Sequence, residues 1–266
     1  MLPRRFRTRL SAGIALACLL PFNAHGATPS LRYEVVARYA HLDTAFTQGL
    51  ELDGDTLYES SGLYERSYLA VWSPQMRSIS KKRMLPESVF GEGLTLWRDR
   101  IYVLTWRGQR GFIFDRETLK ELGQFTYSGE GWGLTHDGQA LIMSDGTSTL
   151  RFLDPLTLHT KGTLEVTEDG NPVKDINELE WLPAHDREPV RLLANIWQRD
   201  QVVVIDPGNG HVTARIDFSR LYPKPTRDPH ADVLNGIALD SRDRSLLITG
   251  KFWPYLYRVH LLEKLP

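Results

Sequence analysis

The chain has 266 residues with 32 basic and 33 acidic side chains, and a single cysteine, Cys18. Without the four arginines of residues 1–26 the balance is 28 against 33, a charge of −5, which excludes the basic footprint of a nucleic-acid partner. Beyond that leader, disulfides, thiolate metal sites and a cysteine nucleophile are excluded, and about 240 residues without a linker suffice for one closed β domain or two smaller units.

Arg4, Arg5, Arg7 and Arg9 precede an apolar run over residues 10–22 and a small-residue stretch ending at Ala27. The run is short for a membrane span and no stop-transfer pattern follows, so residues 1–26 read as a secretory signal peptide. The expectation is cleavage near Ala27 and export, periplasmic or secreted, with no membrane association afterwards. Next comes "LRYEVVARYAH", residues 31–41, a strand with no hairpin of its own.

Residues 46–62, "FTQGLELDGDTLYESSG", alternate apolar and polar around Asp53-Gly54-Asp55 and predict a hairpin. The pattern returns as "FGEGLTLWRDRIYVLTW" at 90–106, "EGWGLTHDGQALIMSDG" at 130–146, "DINELEWLPAHDREPVRLLANIW" at 175–197 and "VLNGIALDSRDRSLLITGK" at 233–251. Most hairpins are followed by a third strand that ends in a turn signal, as in "YLAVWSPQ" or "QVVVIDPGNG", and by a fourth such as "HVTARIDF". Four antiparallel strands per unit, at a period of about 40 to 58 residues, predict an all-β fold: a five-bladed β-propeller over residues 27–266. The last unit runs out at "YLYRVHLL", so the strand at 31–41 is expected to complete the final blade and close the ring. A closed ring leaves no edge for assembly, and a monomer is expected. The segment 218–232, rich in proline and charge, reads as an inserted loop over one face.

In a propeller the first strand of each blade lines the central channel, which puts Gln48, Glu92, Trp132, Asn177 and Asn235 at one register position facing the axis. Their neighbours Gly49, Gly93, Gly133 and Gly236 fit close packing of backbones or close approach of a ligand. Antiparallel pairing sets a second ring beside the first: Gly62, Trp106, Gly146, Trp197 and Lys251. Tryptophans, a lysine and a carboxylate at one mouth suit a small-molecule pocket. Three readings compete with no ligand in view. Axial amides can hold ordered water, and tryptophans can be plain packing. The oxygens of Gln48, Glu92, Asn177 and Asn235 can ligate Ca²⁺ in a lactonase or esterase. A non-catalytic site for a peptide terminus is the third.

The motifs "FTQGL", "FGEGLTL", "LTW", "GEGWGLTHDG", "NELEW", "ANIWQ", "VLNGIA" and "TGKFWP", in order from about residue 46 to 256, resemble the plant and bacterial family of glutaminyl-peptide cyclotransferases, or glutaminyl cyclases. The resemblance implies a five-bladed propeller and an acyltransferase that converts N-terminal glutaminyl residues of peptides and proteins to pyroglutamate with release of ammonia. It implies no zinc and no cofactor. The family's functional positions fall on Phe46, Gln48, Phe90, Glu92, Trp106, Trp132, Asn177, Trp197 and Lys251. The one departure is the longer turn "WLPAHDREPVRLL", expected at the far end of the strands from the site.

Ring closure joins the substrate's α-amine to its own γ-carboxamide, so holding the side chain folded back removes much of the entropic barrier. One carboxylate can take the amine's proton and return it to the departing nitrogen. Glu92 is expected in that role, in preference to Glu130, which aligns with Phe90 rather than with Glu92. Lys251, Gln48, Asn177 and the indole N–H groups are the candidates to hold the amide and the developing oxyanion.

Overall fold

The computed structural model describes residues 27–76 and 78–266; the signal peptide read over residues 1–26 lies outside them. Along the strand Arg100–Thr105, Ile101 and Val103 enter one apolar cluster while Tyr102 and Leu104 enter another. This is the period of two of a strand buried on both faces, and it explains near-continuous apolar runs such as "IYVL". Each of five such clusters fills the seam between two neighbouring sheets.

Four antiparallel sheets run in chain order outward from Thr47–Asp53, Gly91–Trp97, Leu134–His136 and Ile176–Leu182. The fifth consists of Leu234–Leu239, Leu246–Gly250, Tyr255–Leu261 and, outermost, Tyr33–Ala40. The five-bladed propeller expected from the repeats is present, and the N-terminal strand closes it by pairing with Tyr255–Leu261. Burial falls outward: Gly91–Trp97 is buried throughout, whereas Ser78–Met84 is exposed throughout.

Two details go beyond the repeats. The N-terminal strand is broken at Arg32, whose N–H donates to Glu263 Oε2 at 2.7 Å; before the break, Ser30–Leu31 pairs in parallel with Val212–Asp217 on the fourth blade. A small hairpin, Thr167–Glu168 with Asn171–Pro172, joins the third and fourth blades.

The innermost strands carry free edges whose polar groups need partners. Backbones there touch across the seams: a β-carbon on Gly49 would lie 2.4 Å from Leu94 N, one on Gly93 2.6 Å from Trp132 O, and one on Gly133 2.1 Å from Asn177 O. These glycines therefore serve packing between blades. In the fourth blade the place is taken by Glu178, whose carboxylate accepts the N–H groups of Ile237 at 3.0 Å and Leu50 at 3.3 Å. Glu180 accepts Leu239 N–H at 2.9 Å, and Glu51 accepts Leu96 N–H and the Thr95 hydroxyl, both at 2.8 Å.

Candidate active site

Each innermost strand bulges at its axial position. Gly91 pairs with Thr105 and Leu94 with Val103, so Glu92 and Gly93 together face Leu104. Register shifts recur at Gln48, Asn177 and Asn235. In the third blade, Trp132 N–H donates to Ser144 O and Ser144 N–H to Gly133 O, both at 3.0 Å, which is the same arrangement. A bulge re-aims side chains and increases local twist, and here it recurs around the ring.

The second ring is set beside the first by a repeated hydrogen bond: Gly62 N–H to Phe46 O at 2.9 Å, Trp106 N–H to Phe90 O at 3.0 Å, Trp197 N–H to Asp175 O at 2.8 Å and Lys251 N–H to Val233 O at 2.9 Å. The two glycines of that ring leave room for aromatic rings. A β-carbon on Gly62 would meet Phe90 Cε1 at 2.3 Å, and one on Gly146 would meet the Trp132 ring at 2.8 Å.

Together the rings enclose a cavity of about 280 Å³ lined by Phe46, Gln48, Phe90, Glu92, Trp106, Trp132, Asn177, Trp197, Lys251 and Asp232. Every candidate from the sequence is there except Asn235. That residue is fully buried and turned to the closing seam, its Nδ2 donating to Thr47 O at 3.0 Å and Gln48 O at 3.3 Å. Asn235 is thus corrected from the cavity wall to its foundation, because the open edge of the first blade needs a donor there.

Glu92 is 5% exposed, and its Oε1 accepts Gln48 Nε2 at 2.9 Å. Burial pushes its carboxyl well above the usual range; Lys251 opposes that shift and Glu130 reinforces it. Its backbone carbonyl is fixed by the Ser60 hydroxyl at 2.5 Å, and that of Asn177 by the Ser144 hydroxyl at 2.6 Å. Burial lowers the Lys251 ammonium, against Glu92 and Asp232, which hold the proton on. Its Nζ stands 4.7 Å over the Phe46 ring. Gln48 Oε1 and Asn177 Oδ1 are buried acceptors with no partner among the described residues. Such atoms call for a donor, and an amine or carboxamide N–H supplies one.

The walls are edge-packed aromatics: Phe46 against Phe90 at 5.8 Å, Phe90 against Trp106 at 5.6 Å, and Trp132 against Trp197 at 5.6 Å. The indoles of Trp106 and Trp132 are not free to hold an oxyanion. Both donate to Glu130 Oε2, at 2.7 and 2.9 Å. This corrects the sequence-based expectation for those two N–H groups, and it gives Glu130 a place at the wall.

Asp232, the last residue of the 218–232 insertion, lines the cavity and was not among the candidates. The insertion is held by the buried Arg227–Asp200 pair at 3.2 Å, and Arg227 also donates to the carbonyls of Tyr222 and Asp232. The signal was the abrupt proline-rich, charged run ending directly before the fifth repeat. Of the residues named for Ca²⁺, Asn235 does not line the cavity and donates its N–H into the closing seam, and Gln48 offers its N–H to Glu92, near the Lys251 ammonium. Among the described residues no group of three or more His, Cys, Asp or Glu is arranged around a metal position.

The family model described as glutamine cyclotransferase matches residues 10–261. A glutaminyl-peptide cyclotransferase of Arabidopsis thaliana is 36% identical, the match spanning 96% of this chain and 82% of that one. The crystal structure of Myxococcus xanthus glutaminyl cyclase superposes with a TM-score of 0.77 at 33% identity, covering 89% of this chain and 100% of that one. At 9% identity, the β-propeller domain of Cps50 (Swd1) from Myceliophteria thermophila shares the fold alone, with a TM-score of 0.50.

Proposed function

This chain belongs to the glutamine cyclotransferase family, and from that premise we propose that Glu92 is the proton shuttle in closing an N-terminal glutaminyl residue to pyroglutamate. The observation that carries the reading is a buried carboxyl of raised proton affinity in an aromatic cavity, between an amide and an ammonium group. The α-amine nitrogen attacks the γ-carboxamide carbon, and Glu92 takes the proton it sheds. The tetrahedral intermediate then collapses: the C–N bond to the former amide nitrogen breaks, Glu92 returns the proton, and ammonia leaves.

Lys251 is positioned to stabilise the developing oxyanion, since its ammonium faces the same cavity as Glu92. The unpartnered oxygens of Gln48 and Asn177 suit the N–H groups of the bound amine and carboxamide. The aromatic walls exclude water and hold the side chain folded back, which is the larger part of the assistance that a unimolecular ring closure needs. No step above draws on a metal. The leader over residues 1–26 supports action on exported peptides or proteins, in a periplasm or outside the cell, and the closed ring of blades supports a single copy of the chain.

The test is ammonia release from a short peptide beginning with glutamine, with and without EDTA, by the wild type and by Glu92→Gln. Turnover that survives the chelator and falls by at least about 100-fold in the variant supports the reading. Loss of wild-type turnover on chelation removes the metal-free mechanism. A variant as active as the wild type removes Glu92 from the proton transfer.

A further inference from the structure

Glu130 takes no part in the proton transfer above, yet both of its carboxylate oxygens are engaged. Oε2 accepts both indole N–H groups, from Trp106 at 2.7 Å and Trp132 at 2.9 Å, and Oε1 accepts Arg107 Nε at 3.1 Å. The Arg107 guanidinium also lies 3.9 Å over the Trp106 ring. Trp106 follows the second strand of the second blade and Trp132 precedes the first strand of the third. One oxygen therefore ties together walls supplied by two blades.

The peptide that carries Glu130 is itself immobilised. Arg151 donates to the carbonyls of Ser128 at 2.7 Å and Glu130 at 3.2 Å, and pairs with Asp145 at 3.3 Å. Gly131 N–H donates to Trp106 O at 3.0 Å. Burial by itself would raise the Glu130 carboxyl, but the bonds from Trp132, Trp106 and Arg107 outweigh it and hold the group ionised.

We propose that Glu130 is a positioning residue of the cyclisation site, fixing two tryptophan walls at the spacing that folds the glutaminyl side chain back onto its amine. The inference rests on the cyclisation reading above. Near-attack geometry tolerates little displacement, and a hydrogen-bonded anion between two indoles sets their separation more narrowly than apolar contact does. A plain strut would stop there. Glu130 is in addition a fixed negative charge bearing on Glu92, where Lys251 is the opposing charge, Asp232 acts on Lys251, and the neutral phenol of Tyr127 is the other titratable group affected by Glu92.

The experiment compares wild type, Glu130→Gln, Glu130→Asp and Trp106→Phe across pH. One glutaminyl peptide is used throughout, so that the titration of its own amine is common to all. Glu130→Gln is expected to lose about tenfold or more in kcat/KM and to move the acid limb of its pH profile to lower pH, because Glu92 ionises more easily without a neighbouring anion. Glu130→Asp, which keeps the charge but shortens the reach, is expected to lose kcat/KM while its acid limb stays near that of the wild type. Trp106→Phe is expected to behave likewise. Thermal unfolding is followed in parallel. A Glu130→Gln protein with wild-type kcat/KM and an unmoved acid limb overturns the proposal, whether or not its melting point drops. A wild type that releases no ammonia instead overturns the cyclisation reading, and this inference with it.

Discussion

Two fixed charges of opposite sign bear on Glu92, and they separate its behaviour into testable parts. Lys251 draws the carboxyl down from where burial would put it. Removing it as Lys251→Met is expected to move the acid limb of the pH profile to higher pH, the reverse of the shift for Glu130→Gln. It is also expected to lower kcat on the order of 100-fold, the usual cost of one oxyanion donor; an unmoved limb with wild-type kcat would place Lys251 outside the chemistry. Gln48, Glu92, Trp106, Trp132, Asn177, Trp197 and Lys251 were legible in sequence because they repeat at a fixed register, whereas Phe46 and Phe90 came with the family resemblance and Asp232 with neither. What could not be read was how they divide the hydrogen bonds. Trp106 and Trp132 display indoles in the expected rings, but the acceptor that claims both is Glu130, which stands two residues before the axial position of its blade. Asn235 obeys the register and still misses the cavity, since the carbonyls of Thr47 and Gln48 lie within its reach.

Strands and their bulges set some glycines against movable side chains of the cavity and others against fixed backbone. At Gly62 an added β-carbon meets the end of the Phe90 ring, a side chain that can swing. At Gly133 it meets the backbone of Asn177, which cannot. Gly62→Ala, which also brings a β-carbon to 3.0 Å from Gly91 O, is therefore expected to lose less stability than Gly133→Ala but to raise KM, as Phe90 is displaced at the cavity wall. Gly133→Ala is expected to lose about 3 kcal/mol or more of stability, measured by denaturant unfolding. Equal effects on stability would contradict this division. Alternating apolar runs and turn residues made the blades legible, because strand period and turn chemistry are local properties. The bulges depend on a pairing partner and are silent in a single strand. The small hairpin Thr167–Glu168 with Asn171–Pro172 is too short to carry a period, and Asp232 is set at the cavity by tertiary contacts, its N–H on Lys251 O and its carbonyl under Trp253 and Arg227.

Across the molecule, apolar packing is distributed over five seams, and the seam that closes the ring holds a buried ion pair. His41, directly after the closing strand, presents Nδ1 to Trp253 O at 2.8 Å and Nε2 to Glu59 at 3.0 Å. Glu59 also accepts the Thr47 hydroxyl at 2.7 Å and the Trp72 indole at 3.1 Å. Both ring nitrogens face acceptors, so the imidazole is held protonated; burial lowers its pKa, but Glu59 and the Trp253 carbonyl raise it to a net value above normal. A raised folded pKa gives stability that is full below the ordinary histidine range and is lost as pH rises through the raised value. Glu51, pushed up to about 7 by burial, gives a separate decline that lies between the ordinary glutamate range and about pH 7, below that of His41. The melting temperature is expected to fall on the alkaline side. His41→Leu is expected to lower it by the equivalent of about 3 to 5 kcal/mol near neutral pH and to flatten the decline; a variant as steep as the wild type would remove His41 from it.

The closing strand has a further consequence in time. Arg32 and Glu263 meet across 231 residues of sequence, so the contact that completes the ring joins the earliest part of the described chain to nearly the last. As the polypeptide, exported as proposed above, emerges N-terminal end first, the first four blades can assemble from strands already delivered, but the fifth waits for its final strand. Until then a row of unpaired backbone groups stays open on each side of the gap. Closure entropy and contact order both place this pairing among the slow events of folding, and the emerging chain is most exposed to mispairing with other chains just before its own two ends meet.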